Sequence, residues 1–153
     1  MTRAARCLIA LALVAIVVTA TSRVVGAWIR PPKLNYTIKT LANGLTVVLL
    51  EDHSTPIVHL QLWYHVGSRD ERAGRTGFAH LFEHMMFQGS KNVDPEQHPS
   101  LISGVGGQSN ASTTEDATVY WETVPAQYLP LVLWLEADRM ASLRIDDRTF
   151  RRE

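Results

Sequence analysis

The sequence predicts an α+β fold in which an antiparallel sheet carries helices packed on one face. Three observations predict it. Asn43 and Gly44 separate two apolar runs, 36–41 and 45–51, which is the mark of a tight hairpin, and the turn then calls for φ > 0 at both positions. The segment 57–66 alternates, with Val58, Leu60, Leu62, Tyr64 and Val66 on one side and His59, Gln61, Trp63 and His65 on the other. From Pro125 to Leu143, Leu129, Val132, Leu133, Leu135 and Met140 recur at helical spacing.

The remaining elements follow in order. Pro31 and Pro32 make 28–34 an extended linker. The polar loop 67–77 leads into a helix over 78–87, closed by Gly89 and Ser90. A second helix spans 95–104, and Gly104, Gly106 and Gly107 break it. Segments 110–114 and 117–124, rich in Thr, Val, Tyr and Trp, read as strands. The sheet is expected to combine the hairpin, 57–66 and 117–124. Asp146 or Asp147 caps a last helix that has run about two turns when the sequence stops, so 35–153 reads as the front of an incomplete domain.

Composition excludes some classes of function. Fifteen basic and fifteen acidic residues leave no surplus that points to nucleic acid. Residues 1–27 read as a secretory signal peptide: Arg3 and Arg6 precede an apolar run from 7 to 20, with cleavage after Ala20 or Ala27. An uncleaved membrane anchor is the alternative, although the run is short for a span. Export places the chain in the periplasm or outside the cell. Removal of 1–27 leaves 12 bases, 15 acids and no cysteine, so the exported chain relies on its core, a metal or further chain for stability.

The chemistry is concentrated in His80-Leu81-Phe82-Glu83-His84. Residues four apart on a helix share a face, so both imidazoles can reach one ion. Glu83 stands at the edge of that face, placed to accept a proton rather than to ligate. This is the HxxEH order, the reverse of HExxH. Zinc suits two neutral imidazoles and tolerates an open position. His53 and His98 read as surface residues, His59 and His65 as structural, and Trp63, Phe82 and Phe87 as core. The spacing of Glu115, Glu122 and Glu136 recommends none of them as a ligand.

The stretch VGSRDERAGRTGFAHLFEHMMF (66–87) resembles the active-site segment of the pitrilysin family, which includes insulin-degrading enzymes and mitochondrial processing peptidases. NGLTVVL (43–49), GGQSNASTTEDATVYWETVP (106–125) and WLEADRM (134–140) agree in the same order, and the likeness covers 35–153. The resemblance implies a metallohydrolase-like fold, one zinc ion held by His80 and His84, and Glu83 as general base. It implies that Asn110 and Ala111 lie on an edge strand that receives a peptide substrate by strand addition. It also implies that Glu153 supports the site, and that a third ligand, a glutamate about two helical turns further on, lies past residue 153. A second homologous domain or subunit would close a chamber around the substrate. The rival readings are a non-catalytic, peptide-binding or partner-subunit relative, and an inactive fragment lacking the third ligand.

Overall fold

The computed structural model describes residues 33–153, so the signal-peptide reading over 1–27 and the start of the linker lie outside the described residues. The chain falls into two compact units divided between Glu51 and Asp52.

In the first unit, β1 (Tyr36–Thr40) and β2 (Thr46–Leu50) form an antiparallel hairpin from Tyr36↔Leu50 to Thr40↔Thr46. The hairpin is a two-stranded sheet of its own, not part of the larger sheet as expected. Its turn also differs from the expected one. Gly44 is the position with positive φ (88°), and Asn43 is not in that region. The Gly44 N–H donates to Leu41 O at 2.9 Å, and the Leu41 N–H to Leu45 O at 2.8 Å. The Asn43 side chain accepts from the Leu45 N–H at 3.2 Å. Five residues therefore join the strands. In such a longer loop only the residue re-entering the ladder needs left-handed backbone, and glycine supplies it.

In the second unit, β3 (Ile57–Tyr64), β4 (Gln108–Thr113) and β5 (Thr118–Pro125) form an antiparallel sheet in the order β3-β5-β4. The central strand buries Thr118, Tyr120, Glu122 and Val124 on one face. On β3, Val58, Leu60, Leu62 and Tyr64 point the same way and are half-buried, while His59, Gln61 and Trp63 are exposed. Trp63 is thus not a core residue, because the period of the strand puts it on the open face. β5 runs on to Pro125, opposite Ile57, which fits a residue with no N–H to donate at a strand end. A 3₁₀ turn (Ala126–Tyr128) intervenes before the next helix, so that helix starts at Leu129 rather than at Pro125. Pro130 in its first turn is the better start signal.

Four helices accompany this sheet: α1 (Phe78–Met85), α2 (Gln97–Gly104), α3 (Leu129–Ser142) and α4 (Asp147–Arg152). Val93, Ile102 of α2, Val124 of β5, and Val132 and Leu135 of α3 form the core, flanked by Leu60, Leu101 and Leu131. Each such aliphatic side chain contributes about 1.5–3 kcal/mol on full burial, which fixes α2 and α3 against β5. No helix among the described residues is long and apolar enough to cross a membrane.

Candidate metal centre

Two local devices aim α1. The loop before it lies against the turn after β4, where the Ser68 and Arg69 N–H groups donate to Thr114 O and Glu115 O at 3.1 and 2.9 Å. Gly67 permits that approach, because a Cβ there would lie 2.4 Å from Thr114 O. The Glu71 carboxylate then caps the helix, accepting from the Gly77 and Ala79 N–H groups at 2.8 Å each. A carboxylate at a helix N-terminus satisfies free donors and meets the positive end of the dipole.

So aimed, α1 presents His80 and His84 outward, with side chains 66% and 49% exposed, and turns Glu83 inward at 11%. The two Nε2 atoms converge to 3.0 Å. His84 Nδ1 donates to Glu153 Oε2 at 2.9 Å, because a carboxylate can only accept. His80 Nδ1 faces Glu83 Oε2 at 3.7 Å. Glu153 thus leaves His84 Nε2 as an acceptor, and the 3.0 Å contact is a hydrogen bond that His80 Nε2–H donates to it, since Glu83 Oε2 lies beyond hydrogen-bond reach of His80 Nδ1. A cation that replaced that proton would meet the lone pairs of both rings. Tetrahedral zinc with Zn–N bonds of about 2.05 Å would space its two nitrogens about 3.3 Å apart, so the donor set fits such an ion.

Neighbouring groups hold the carboxylates. Thr113 of β4 donates its hydroxyl to Glu83 Oε2, and Oε1 receives no hydrogen bond among the described residues. Glu153 receives Gln88 Nε2 on its second oxygen. It reaches this position because Asp146 caps α4, accepting from the Arg148 and Thr149 N–H groups at 3.0 and 2.8 Å. Those hydrogen bonds also keep the Asp146 carboxyl below its ordinary range, the Thr149 N–H most of all. Arg144 anchors the preceding segment to the carbonyls of Gly89 and Ser90, just past α1.

Asn110 and Ala111 lie on β4, whose one strand partner among the described residues is β5. The Ala111 N–H donates to the Asn110 side-chain oxygen at 2.9 Å, so it points away from β5 and is covered by its neighbour. The apolar recess lined by Tyr64, Val66, Phe78, Phe82 and Met86 lies on the other face of α1 from the histidines, and it leaves Phe82 half exposed rather than in the core.

A second cluster went unread in the sequence. His98, Glu122, Glu136 and Arg139 are 4%, 1%, 2% and 3% exposed, so His98 is a buried residue and not a surface one. Arg139 donates Nε to Glu136 Oε2 at 2.8 Å and Nη2 to Glu122 Oε1 at 3.3 Å and to Glu136 Oε1. His98 Nε2 lies 3.5 Å from Glu136 Oε1 and 4.0 Å from Glu122 Oε1. Among the described residues, His98, Glu122 and Glu136 are the three-donor group compact enough for a metal ion. The guanidinium already bridges both carboxylates, however, so it fills the place of the cation, and the histidine pair on α1 is the better metal site. Burial drives the Glu122 carboxyl up to about 9, helped by its hydrogen bond to Glu136. Burial would raise Glu136 too, but His98 Nε2 at 3.5 Å, Glu122 and the Arg139 guanidinium bring it down to about 2. A signal was present: Glu122 shares the inward period of Tyr120 and Val124, and Glu136 and Arg139 share the inward stripe of Val132 and Leu135.

Residues 46–153 match the family described as Insulinase (Peptidase family M16). The chain is 37% identical over 112 residues to the zinc protease PqqE of Helicobacter pylori, covering 72% of this chain and 25% of that protein. It is 30% identical over 116 residues to cytochrome b-c1 complex subunit 1, mitochondrial, of Rattus norvegicus, covering 76% of this chain and 24% of that protein. Among solved structures, a protease from Helicobacter pylori superposes with a TM-score of 0.73 at 34% identity, covering 75% of this chain and 28% of that one. Pitrilysin superposes at 0.70 and 28% identity, covering 80% and 14%. The chain thus spans about a quarter of the length of the curated relatives it matches. On the family match over 46–153 and the shared fold, the chain belongs to the insulinase family, peptidase family M16.

Proposed function

We propose that this chain carries the metal-binding helix and the substrate strand of an exported zinc metalloendopeptidase. One observation carries the proposal: two imidazole Nε2 atoms 3.0 Å apart on one helix face, with Glu153 bound to His84 Nδ1 and the Glu83 carboxylate beside His80. His80 and His84 would hold one zinc ion, with a further ligand from chain that follows Glu153. When bound, the ion supplies a Lewis acid that polarises a carbonyl and lowers the pKa of water towards about 7.

The chain's own residues supply the rest. Glu83 accepts the proton of the attacking water at Oε1, while Thr113 holds Oε2 and keeps the carboxylate aimed. Glu153 keeps the Nδ1 proton on His84, so that Nε2 remains a ligand. A peptide adds as a strand to the outer edge of β4. The Asn110 side chain then leaves the Ala111 N–H, and that amide binds the peptide backbone. A second homologous domain or subunit covering the bound peptide completes the reading.

The similarity to cytochrome b-c1 complex subunit 1, mitochondrial, whose name describes a subunit of a complex and not a protease, favours a second reading: a non-catalytic relative that keeps the fold. One experiment separates the two. In the full-length protein containing this chain, Glu83→Gln should retain zinc and lose peptide hydrolysis by at least about a hundredfold, the low end of general acid–base contributions. Hydrolysis equal to that of the parent removes Glu83 from the mechanism, and a zinc-loaded parent with no hydrolysis supports the second reading.

A further inference from the structure

The buried cluster and the metal helix meet at one side chain. Phe87 follows α1, and its N–H donates to the His84 carbonyl at 3.0 Å. Its own carbonyl accepts from the Glu96 N–H at 3.0 Å. Its ring is surrounded by the cluster: the Arg139 guanidinium lies 5.4 Å from the ring centroid, the His98 ring meets it edge-on at 6.1 Å, and the Tyr120 ring is also 6.1 Å away. Arg139 stands 4.5 Å from the Tyr120 ring on β5. A guanidinium within about 6 Å of a ring is attracted to its face, most strongly where water is excluded. This guanidinium is also tied to Glu122 on β5 and Glu136 on α3, so it has little freedom to follow the ring if the ring moves.

We infer that Arg139 is a positioning residue for the metal helix, holding Phe87 and, through it, the last turn of α1 that carries His84. The inference rests on the reading of His80 and His84 as zinc ligands. Gln88, next in the chain, binds Glu153, which in turn sets the ring of His84. Displacement of Phe87 therefore disturbs His84 twice, through the backbone of its own turn and through the carboxylate at Nδ1. The outer partners of metal-ligating histidines commonly affect metal affinity by about ten- to a hundredfold.

The test is titration of the full-length protein containing this chain with zinc against a chromophoric chelator, together with its unfolding midpoint in the absence of metal. Phe87→Leu leaves every charge of the cluster in place and removes the ring face. It should weaken zinc binding about tenfold with its metal-free midpoint near that of the parent. Phe87→Tyr restores a ring and should restore affinity, a rescue that a general packing role does not require. Arg139→Lys keeps the charge but not the planar fork and should resemble Phe87→Leu. If it fails to fold, the two Phe87 variants decide alone. Parent-like zinc affinity in Phe87→Leu, with loss of affinity in His84→Ala, overturns the positioning role and leaves the zinc site standing. Equal affinity in the parent and His84→Ala overturns both.

Discussion

Replacing Glu122 with glutamine should remove a pH dependence of stability from this fold. The buried cluster contains two carboxylates and one guanidinium, so it is neutral only when one further proton is present. The groups facing that proton are His98 of α2, Tyr120 of β5, Glu136 and Arg139 of α3, and Tyr64 of β3, whose phenol is itself raised, by burial first and by Glu136 second. The Glu122 carboxyl holds the proton, raised from 4.5 to about 9 by burial and by Glu136. Its folded pKa exceeds its unfolded one, so its stabilising contribution is complete below about pH 4.5 and is lost as pH rises to about 9. While one proton is bound in the folded chain and not in the unfolded one, stability falls by about 1.4 kcal/mol per pH unit, or about 3 kcal/mol between pH 6 and 8. Glutamine keeps the volume and an acceptor for Arg139 Nη2 without needing a proton. The assay is urea unfolding followed by tryptophan fluorescence at a series of pH values, with Trp121 on β5 and Trp134 on α3 as reporters. The parent should lose stability from pH 6 to 8 more steeply than Glu122→Gln, and the curves should cross. Parallel curves would refute the assignment of the proton to Glu122. A uniform loss of about 3–5 kcal/mol in the variant would instead mean that an ionised Glu122 pairs with Arg139.

Three further outcomes are expected. Thr113→Val should leave zinc content unchanged and slow peptide hydrolysis by about ten- to a hundredfold, since one hydrogen bond to a charged group is worth about 1.5–3 kcal/mol. Its effect is read as kcat against metal content. Asp146→Ala should fray α4 and loosen Glu153 from His84, seen as weaker zinc binding. Acid should act similarly, because the depressed Asp146 carboxyl stabilises the chain above its ordinary value of 3.8 and ceases to as pH falls below it. Gly67→Ala should lower the unfolding midpoint sharply, because a Cβ at 2.4 Å from Thr114 O meets backbone that cannot yield, a cost of about 1–3 kcal/mol or more.

The order of elements and the grouping of His80, Glu83 and His84 were legible in the sequence because both follow from short-range periodicity. An alternation of two placed Val58, Leu60 and Leu62 on one face of β3, and a spacing of four placed two imidazoles on one face of α1. Local turn chemistry was legible only in part. Asn43 and Gly44 marked the hairpin, but the loop length that left Asn43 outside the left-handed region depended on where the strands paired. The same holds for Pro125, which ends a strand because Ile57 lies opposite it.

Tertiary structure alone decided which distant groups meet. Glu153 lies 69 residues from His84, and Thr113 lies 30 from Glu83. No local pattern encodes such contacts, since they depend on how α4 and β4 pack beside α1. The charge on His98, Glu122, Glu136 and Arg139 reads in sequence as solvated surface, because ionised side chains are usually exposed. Packing α2 and α3 on β5 excludes water from all four at once and makes mutual pairing their remaining source of compensation. The sequence by itself thus determined the turn that groups His80, Glu83 and His84, whose geometry is set within one helix. The structure determined what orients that turn, because orientation comes from groups brought together across the fold.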